Sequence, residues 1–174
     1  MTVVQSPSGL RLDFLRPDPE AIDIADIAWS LAHICRWTGG VKKFYSVAEH
    51  SVLVADHVPD VIAMDGLLHD ATEAYMSDIP APLKEICPFY ADTEKKLRKV
   101  IANKFGTAHK IPHDVRIADR RMMEQEFRDV VPVDTRPEHQ KSVVAPLDAN
   151  IQFLKPDDAY DLFMKTFRGL GKLR

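Results

Sequence analysis

Gly66-Leu67-Leu68-His69-Asp70-Ala71-Thr72-Glu73-Ala74-Tyr75 is the stretch around which the chain is organised. A mostly apolar run from Asp60 to Leu68 ends in a histidine and an aspartate side by side. Charge at the end of a buried helix is costly unless something pairs with it. Read as one helix over Asp60–Tyr75, the stretch places Glu73 four residues after His69, on the same face. An imidazole and two carboxylates this close can hold a divalent ion and leave an acid–base group beside it. A plainer reading is a helix end with a satisfied histidine and solvated acids, and for an isolated His-Asp pair it is the better one.

Upstream, Ser46 to His57 reads as a helix opened by a capping box, Ser46 with Glu49 three residues on. Val47, Leu53 and Val54 face the core, and His50 lies in the first turns on or near that side. A lone histidine there is more often a hydrogen-bonded core residue than a ligand. Before it, Asp23 to Arg36 reads as a helix capped by Asp23, with Ile24, Ile27, Ala28, Leu31 and Ile34 as its buried stripe. It runs into Arg36-Trp37-Thr38-Gly39-Gly40, where the glycine pair lets the backbone turn. An arginine and a tryptophan at such a turn can take a phosphate and stack on a base; on local grounds a surface arginine and a packing tryptophan are the better reading. Residues 1–20 are an extended lead-in with room for a short hairpin, ended by Pro17 and Pro19.

Downstream, Pro80 and Pro82 make Met76–Lys84 a stiff loop rather than a helix, carrying Asp78 and Lys84 beside the His-Asp pair. Asp78 can position water or a hydroxyl and Lys84 can meet a phosphate; a capping aspartate and a solvated lysine are equally good readings. Ala91–Phe105 is an amphipathic helix ended by Gly106. Pro112–Val130 is another, with Val115, Ala118, Met122 and Phe127 toward the core and Asp119 on the buried side, where an acid needs a partner. Residues 131–155 are loop-rich, and 156–170 form a C-terminal helix with Ala159, Leu162, Phe163, Thr166 and Phe167 as its stripe.

The chain of 174 residues, 45% hydrophobic and 28% charged, is expected to be all-α, a single compact bundle of about six helices with no internal repeat. A net charge of −3 gives no basic field, so duplex nucleic acid is not expected as the main ligand. No apolar run reaches membrane-spanning length and the first residues lack a signal-peptide pattern, so a cytoplasmic protein with no membrane partner is expected. Cys35 and Cys87 have no metal or redox spacing and read as reduced thiols.

His50 in Ala48-Glu49-His50-Ser51, then His69-Asp70, then Asp119 in Ile117-Ala118-Asp119 together resemble the metal site of the HD-domain phosphohydrolase superfamily. Arg36-Trp37, Glu73 and Ser77-Asp78-Ile79-Pro80-Ala81-Pro82-Leu83-Lys84 look like the corresponding segments of bacterial HD-domain 5'-deoxynucleotidases and of phage dATP triphosphohydrolases. The resemblance covers roughly residues 22–130, and its motifs are specific in combination. It implies a single HD-domain bundle over residues 1–174 acting on a deoxynucleotide.

On that resemblance, His50, His69, Asp70 and Asp119 would hold one divalent transition metal, Co, Mn, Zn or Fe, with Mg a further candidate at the phosphates. Glu73 would be the general base or acid, and Asp78 would support it or hold the sugar. Arg36 and Lys84 would take phosphate charge, and Trp37 and Pro82 would wall a base pocket. Lys42 and Lys43, in the short basic connection before His50, lie where extra phosphates of a triphosphate would be met. Together with the small size of the chain they favour a dNTP triphosphohydrolase preferring dATP over a 5'-deoxynucleotidase. Compact HD enzymes are often oligomers, so a homo-oligomer is expected, with the apolar face of the C-terminal helix as its interface. Two other classes stay open. A di-iron oxygenase on the same scaffold needs further ligands, for which His33 and His57 are the spares, and an inert nucleotide sensor would keep the ligands without turnover.

Overall fold

The computed structural model describes residues 2–137 and 144–172. It opens with a hairpin in which β1 (Val3–Gln5) pairs antiparallel with β2 (Arg11–Asp13), Val4 opposite Leu12. Asp26, at the start of the first helix, fastens it by accepting from Ser6 Oγ, Ser8 Oγ and Ser8 N–H. The fold is therefore mostly helical with one two-stranded sheet, rather than all-α, and the sheet lies within the lead-in where a hairpin had room to form.

Eight α-helices follow among the described residues. They are α1 (Ile24–His33), α2 (Val47–Ala55), α3 (Ala63–Leu67), α4 (Glu73–Met76), α5 (Ala81–Ile86), α6 (Pro88–Phe105), α7 (His113–Asp129) and α8 (Pro156–Gly171). The order starts as the sequence directs. Asp23 caps α1 through Ala25 N–H, and Ser46 caps α2 through Glu49 N–H. The reciprocal half of the capping box is missing, because the Glu49 carboxylate turns instead to the C-terminal segment. Its Oε1 accepts from Gln152 N–H (2.6 Å) and Phe153 N–H (3.2 Å), and its Oε2 from Leu154 N–H (2.9 Å).

Every residue of α2 is buried. It packs against α1, α3, α7 and α8, and its two sides feed two apolar cores. Ala48, Val52 and Ala55 join Ile27, Leu31, Leu67 and Phe163 in one. Leu53 and Val54 join Val115, Ala118, Met122 and Leu147 in the other. At α2's C-terminal end α3 comes unusually close, since a β-carbon on Gly66 would stand 3.0 Å from Ala55 Cα.

Four expectations need correction. The helix over Asp60–Tyr75 is not continuous. A 3₁₀ turn (Asp60–Ile62) leads into α3, and the chain then tightens through i→i−3 bonds, Ala71 N–H to Leu68 C=O and Glu73 N–H to Asp70 C=O, before α4. His69 and Asp70 sit in that turn, so His69 and Glu73 do not share a helix face. Met76–Lys84 is not all loop: α5 starts at Ala81 with Pro82 in its first turn, where a missing N–H costs nothing. The number of helices exceeds six because of these breaks. The apolar stripe of α8, with Ala159, Phe163 and Met164 buried, is covered by α1, α2 and α3 and is not a free interface. Of the loop-rich stretch 131–155, residues 138–143 lie outside the described residues, and the rest carries no helix or strand.

Candidate metal centre and its cavity

His50 projects from α2 at zero exposure, and its Nδ1 lies 2.7 Å from Glu126 Oε1. His69 Nδ1 lies 2.7 Å from the Gly66 carbonyl, one of the carbonyls that the end of α3 leaves free. A carboxylate and a carbonyl only accept, so both Nδ1 atoms carry a proton. In neutral rings that leaves both Nε2 atoms as lone-pair donors. They face each other at 3.3 Å. Two lone pairs at that distance repel unless a metal ion lies against both or a proton sits between them.

Two carboxylates close the group. Asp70 Oδ2 is 3.1 Å from His69 Nε2 and 3.8 Å from His50 Nε2. Asp119 Oδ1, from α7, is 3.2 Å from His50 Nε2 and 3.9 Å from His69 Nε2. His50, His69 and Asp119 each offer a ligand atom within 4.8 Å of the others, so the group can hold a metal ion. Nitrogens at about 2.0–2.1 Å from one ion stand about this far apart, and fixing each imidazole through its other nitrogen is the arrangement of ligating histidines. Burial disfavours charge on Asp70 and Asp119, but the facing imidazoles, with Arg36 beside Asp70, hold both carboxyls below the usual range. Burial and Arg36 push the His50 imidazole toward neutrality, yet Glu126 and Asp119 carry it up to about 9.

Glu126 is itself fully buried and also accepts from Arg36 Nε (3.1 Å), Arg36 Nη2 (3.0 Å) and Trp37 Nε1 (2.9 Å) through Oε2. Burial would raise its carboxyl, but Arg36 and His50 keep it below the ordinary value. The anchoring of Trp37 holds a conformation its backbone would otherwise avoid. Trp37 and Thr38 have φ of 57° and 54°, the left-handed region, at a cost of about 1–2 kcal/mol per residue. The indole meets Phe127 edge-on with centroids 4.5 Å apart.

In front of the two histidines opens a cavity of about 470 Å³, within the range of small-molecule sites. Arg36, Trp37, Asp70, Glu73, Asp78, Pro82, Lys84 and Asp119, eight residues drawn from three parts of the sequence, all line it. Ile79, Ala81 and Met123 supply apolar wall. Glu73 is 5% exposed and its Oε2 is buried without a hydrogen-bond partner among the described residues. Burial, then the charges of Asp70 and Asp78, raise its carboxyl well above the ordinary range. Burial likewise raises Asp78. Ser77, with φ 67° and ψ 162°, reverses the chain after α4 so that Asp78–Pro82 return over the cavity. Lys84 Nζ bonds Glu94 Oε1 at 3.1 Å and stands 3.7 Å from Glu73 Oε1; burial would lower its pKa but the two acids raise it.

The structure thus brings together the ten residues given as ligands, acid–base groups and phosphate, sugar or base contacts, the histidines behind and the others around the opening. Two placements differ. Asp119 is on the side of α7 that faces His50 but is only half-buried, its side chain 43% exposed. Lys42 and Lys43 do not face the cavity: Lys42 Nζ bonds the Arg128 and Asp129 carbonyls at the end of α7, and Lys43 lies over the Phe153 ring. The spare histidines are used locally, His33 on the Trp29 carbonyl and His57 on the Leu53 carbonyl. Three residues escaped the sequence reading: Glu126, Glu94 (on Lys84 and Thr72) and Arg98, which donates to the His69 carbonyl. Glu126 had a signal, standing seven residues after Asp119 and so two turns along the same face of α7.

Among the described residues no helix is long and apolar enough to cross a membrane, and both cysteines are free. No family model matches the chain. Over 121 residues, 64% of this chain and 62% of the other, it is 36% identical to the uncharacterized protein RCAP_rcc00048 of Rhodobacter capsulatus. Over 181 aligned residues, covering all of this chain and 98% of the other, it is 39% identical to the uncharacterized protein YfdR of Escherichia coli K12. At that identity over its full length, the chain belongs to the family of YfdR.

Proposed function

We propose that the chain is a metal-dependent phosphohydrolase of HD-domain type that cleaves the phosphate ester of deoxynucleotides. The observation that carries this is the convergence of His50 Nε2, His69 Nε2, Asp70 Oδ2 and Asp119 Oδ1 beside a cavity lined by two cations and by a buried acid, one of whose oxygens has no hydrogen-bond partner among the described residues. The four donors suit a borderline transition ion such as Mn, Co, Zn or Fe. When bound, such an ion supplies Lewis acidity to a phosphoryl oxygen and makes water a better acid.

The rest belongs to the chain's own groups. Glu73 Oε2, buried yet without a partner, takes the proton of the attacking water. The water oxygen joins phosphorus, the ester bond breaks, and the departing sugar oxygen takes up the proton that Glu73 received and leaves as a hydroxyl. Arg36 and Lys84 receive the charge that spreads over the phosphoryl oxygens, each pre-aimed by an acid, Glu126 for Arg36 and Glu94 for Lys84. Asp78 sits where a sugar hydroxyl can be held, and Trp37, Pro82 and Met123 offer apolar wall to a base.

A monophosphate is favoured over a triphosphate. With Lys42 and Lys43 engaged elsewhere, Arg36 and Lys84 are the lysine and arginine side chains lining the cavity among the described residues. A dNTP triphosphohydrolase preferring dATP is the other arm of the same test. Each deoxynucleoside mono- and triphosphate is incubated with Mn²⁺, Co²⁺, Zn²⁺ or Mg²⁺ and the phosphorus products are identified. Orthophosphate from monophosphates, lost in His69→Ala, is expected. Intact triphosphate from dATP would move the reading to the second arm, and no product from any of them would remove both.

A further inference from the structure

One buried carboxylate joins two parts of the site that have separate jobs. Glu126 Oε1 holds the Nδ1 of a metal-centre histidine, and Oε2 holds the guanidinium and the indole that form the cavity wall. Its donors come from two segments, α2 and the 3₁₀ turn at Arg36–Gly39, while Glu126 itself stands on a third, α7. Both oxygens are engaged, Oε1 by one N–H and Oε2 by three, and Glu126 has zero exposure. We propose that Glu126 is a positioning residue that ties loading of the metal centre to the setting of Arg36 and Trp37 in the cavity wall.

The physical route is short. An ion that draws on the Nε2 lone pair of His50 leaves its Nδ1–H a stronger donor, which pulls on Oε1. The two oxygens belong to one rigid plane, so the pull is passed to Oε2 and to the three N–H groups on it. Trp37 is the sensitive end. Its backbone is in the left-handed region, at a conformational cost that the indole anchor offsets. A glutamine at 126 cannot serve both sides. If its oxygen takes Arg36 and Trp37, its NH₂ faces His50 Nδ1 and forces the tautomer whose proton occupies the ligand nitrogen. If its oxygen takes His50, its NH₂ faces three donors.

The inference rests on the metal-dependent reading, and its test does not use turnover. The chain has two tryptophans, so in Trp29→Phe the remaining emission comes from Trp37. Zn²⁺ is titrated against a chromophoric chelator while that emission is followed. In Trp29→Phe alone, emission is expected to change in step with Zn²⁺ binding. Adding Glu126→Gln is expected to weaken Zn²⁺ binding roughly 10–100-fold and to abolish the emission change at saturation, with Glu126→Asp restoring part of both. A natively folded Glu126→Gln protein that binds Zn²⁺ as before, or whose Trp37 still responds in full, overturns the proposal. If that variant does not fold, the reverse direction decides. Trp37→Phe keeps an aromatic ring, though a smaller one, and removes the Nε1 donor, and weaker Zn²⁺ binding is expected although Trp37 holds no ligand atom; unchanged binding overturns the proposal. Coupling without phosphate release would sink the phosphohydrolase reading and leave Glu126 its role, and release without coupling would do the reverse.

Discussion

Glu73 shows how much one side chain's surroundings decide. Its carboxylate is buried, one oxygen lacks a partner among the described residues, and two further acids stand nearby. Glu73→Gln keeps the shape and removes the base, so kcat is expected to fall about 10²–10⁴-fold while Zn²⁺ affinity stays as it was. Equal losses of both would assign Glu73 to metal binding. The pH profile carries a second check. A base must be ionised to act, so kcat/KM should rise with pH through the Glu73 pKa, which burial and its acidic neighbours place above the ordinary 4.5. Asp78→Asn removes one of those charges, lowers that pKa and should move the rising limb to lower pH; a limb that stays or moves up contradicts the assignment. Residue identities were the legible part of the site. Taken singly, His50 and the His69-Asp70 pair read better as core or helix-end residues, and only the combination of the four, through the resemblance, set them together as ligand candidates. Glu126 did not stand out, because a glutamate on a helix is ordinarily solvated, and only the third dimension brings His50, Arg36 and Trp37 to it.

At the scale of elements, α3 and α2 depend on a missing side chain. Gly66→Ala puts a methyl 3.0 Å from Ala55 Cα and 3.3 Å from Ala55 N, backbone atoms that cannot swing aside. A loss of about 1–3 kcal/mol is expected in denaturant unfolding. The same push displaces the Gly66 carbonyl that fixes His69, so Zn²⁺ affinity should fall with stability. Glu49→Gln tests the strap at the other end of α2. One oxygen cannot accept from Gln152, Phe153 and Leu154 as two do, so at least one part-buried N–H loses its acceptor, costing about 1 kcal/mol. Wild-type stability in that variant would mean that the segment is held by something else. Caps and apolar stripes made α1, α2, α6, α7 and α8 legible, because those signals are local. The break at Leu68–Thr72 was not, since an apolar run ending in His-Asp reads as continuous helix until Arg98 is seen pulling on the His69 carbonyl. The short α5 was hidden by prolines that stop a helix in mid-course but start one in its first turn.

For the whole molecule, the residues that could hold an ion, His50, His69 and Asp119, come from α2, the turn after α3 and α7. An ion bound to that group and not to the unfolded chain stabilises by mass action. At a hundredfold excess over Kd, removal by EDTA is expected to cost about 2.7 kcal/mol, a fall of about 5–10 °C in Tm. His69→Ala should make Tm insensitive to EDTA, and a wild-type Tm that ignores EDTA would speak against a resident ion. The enclosure of α2 reaches further, into how the chain is made. Its last residue, Ala55, leaves the ribosome about a hundred residues ahead of Pro156, where α8 begins. At roughly 5–20 residues per second, a helix destined for complete burial waits several seconds with one side uncovered. Through most of that interval the nascent chain is a customer for whatever shields apolar surface in the cell, since the partners of two of α2's buried polar side chains, Glu126 for His50 and the amides of residues 152–154 for Glu49, are not yet all synthesised.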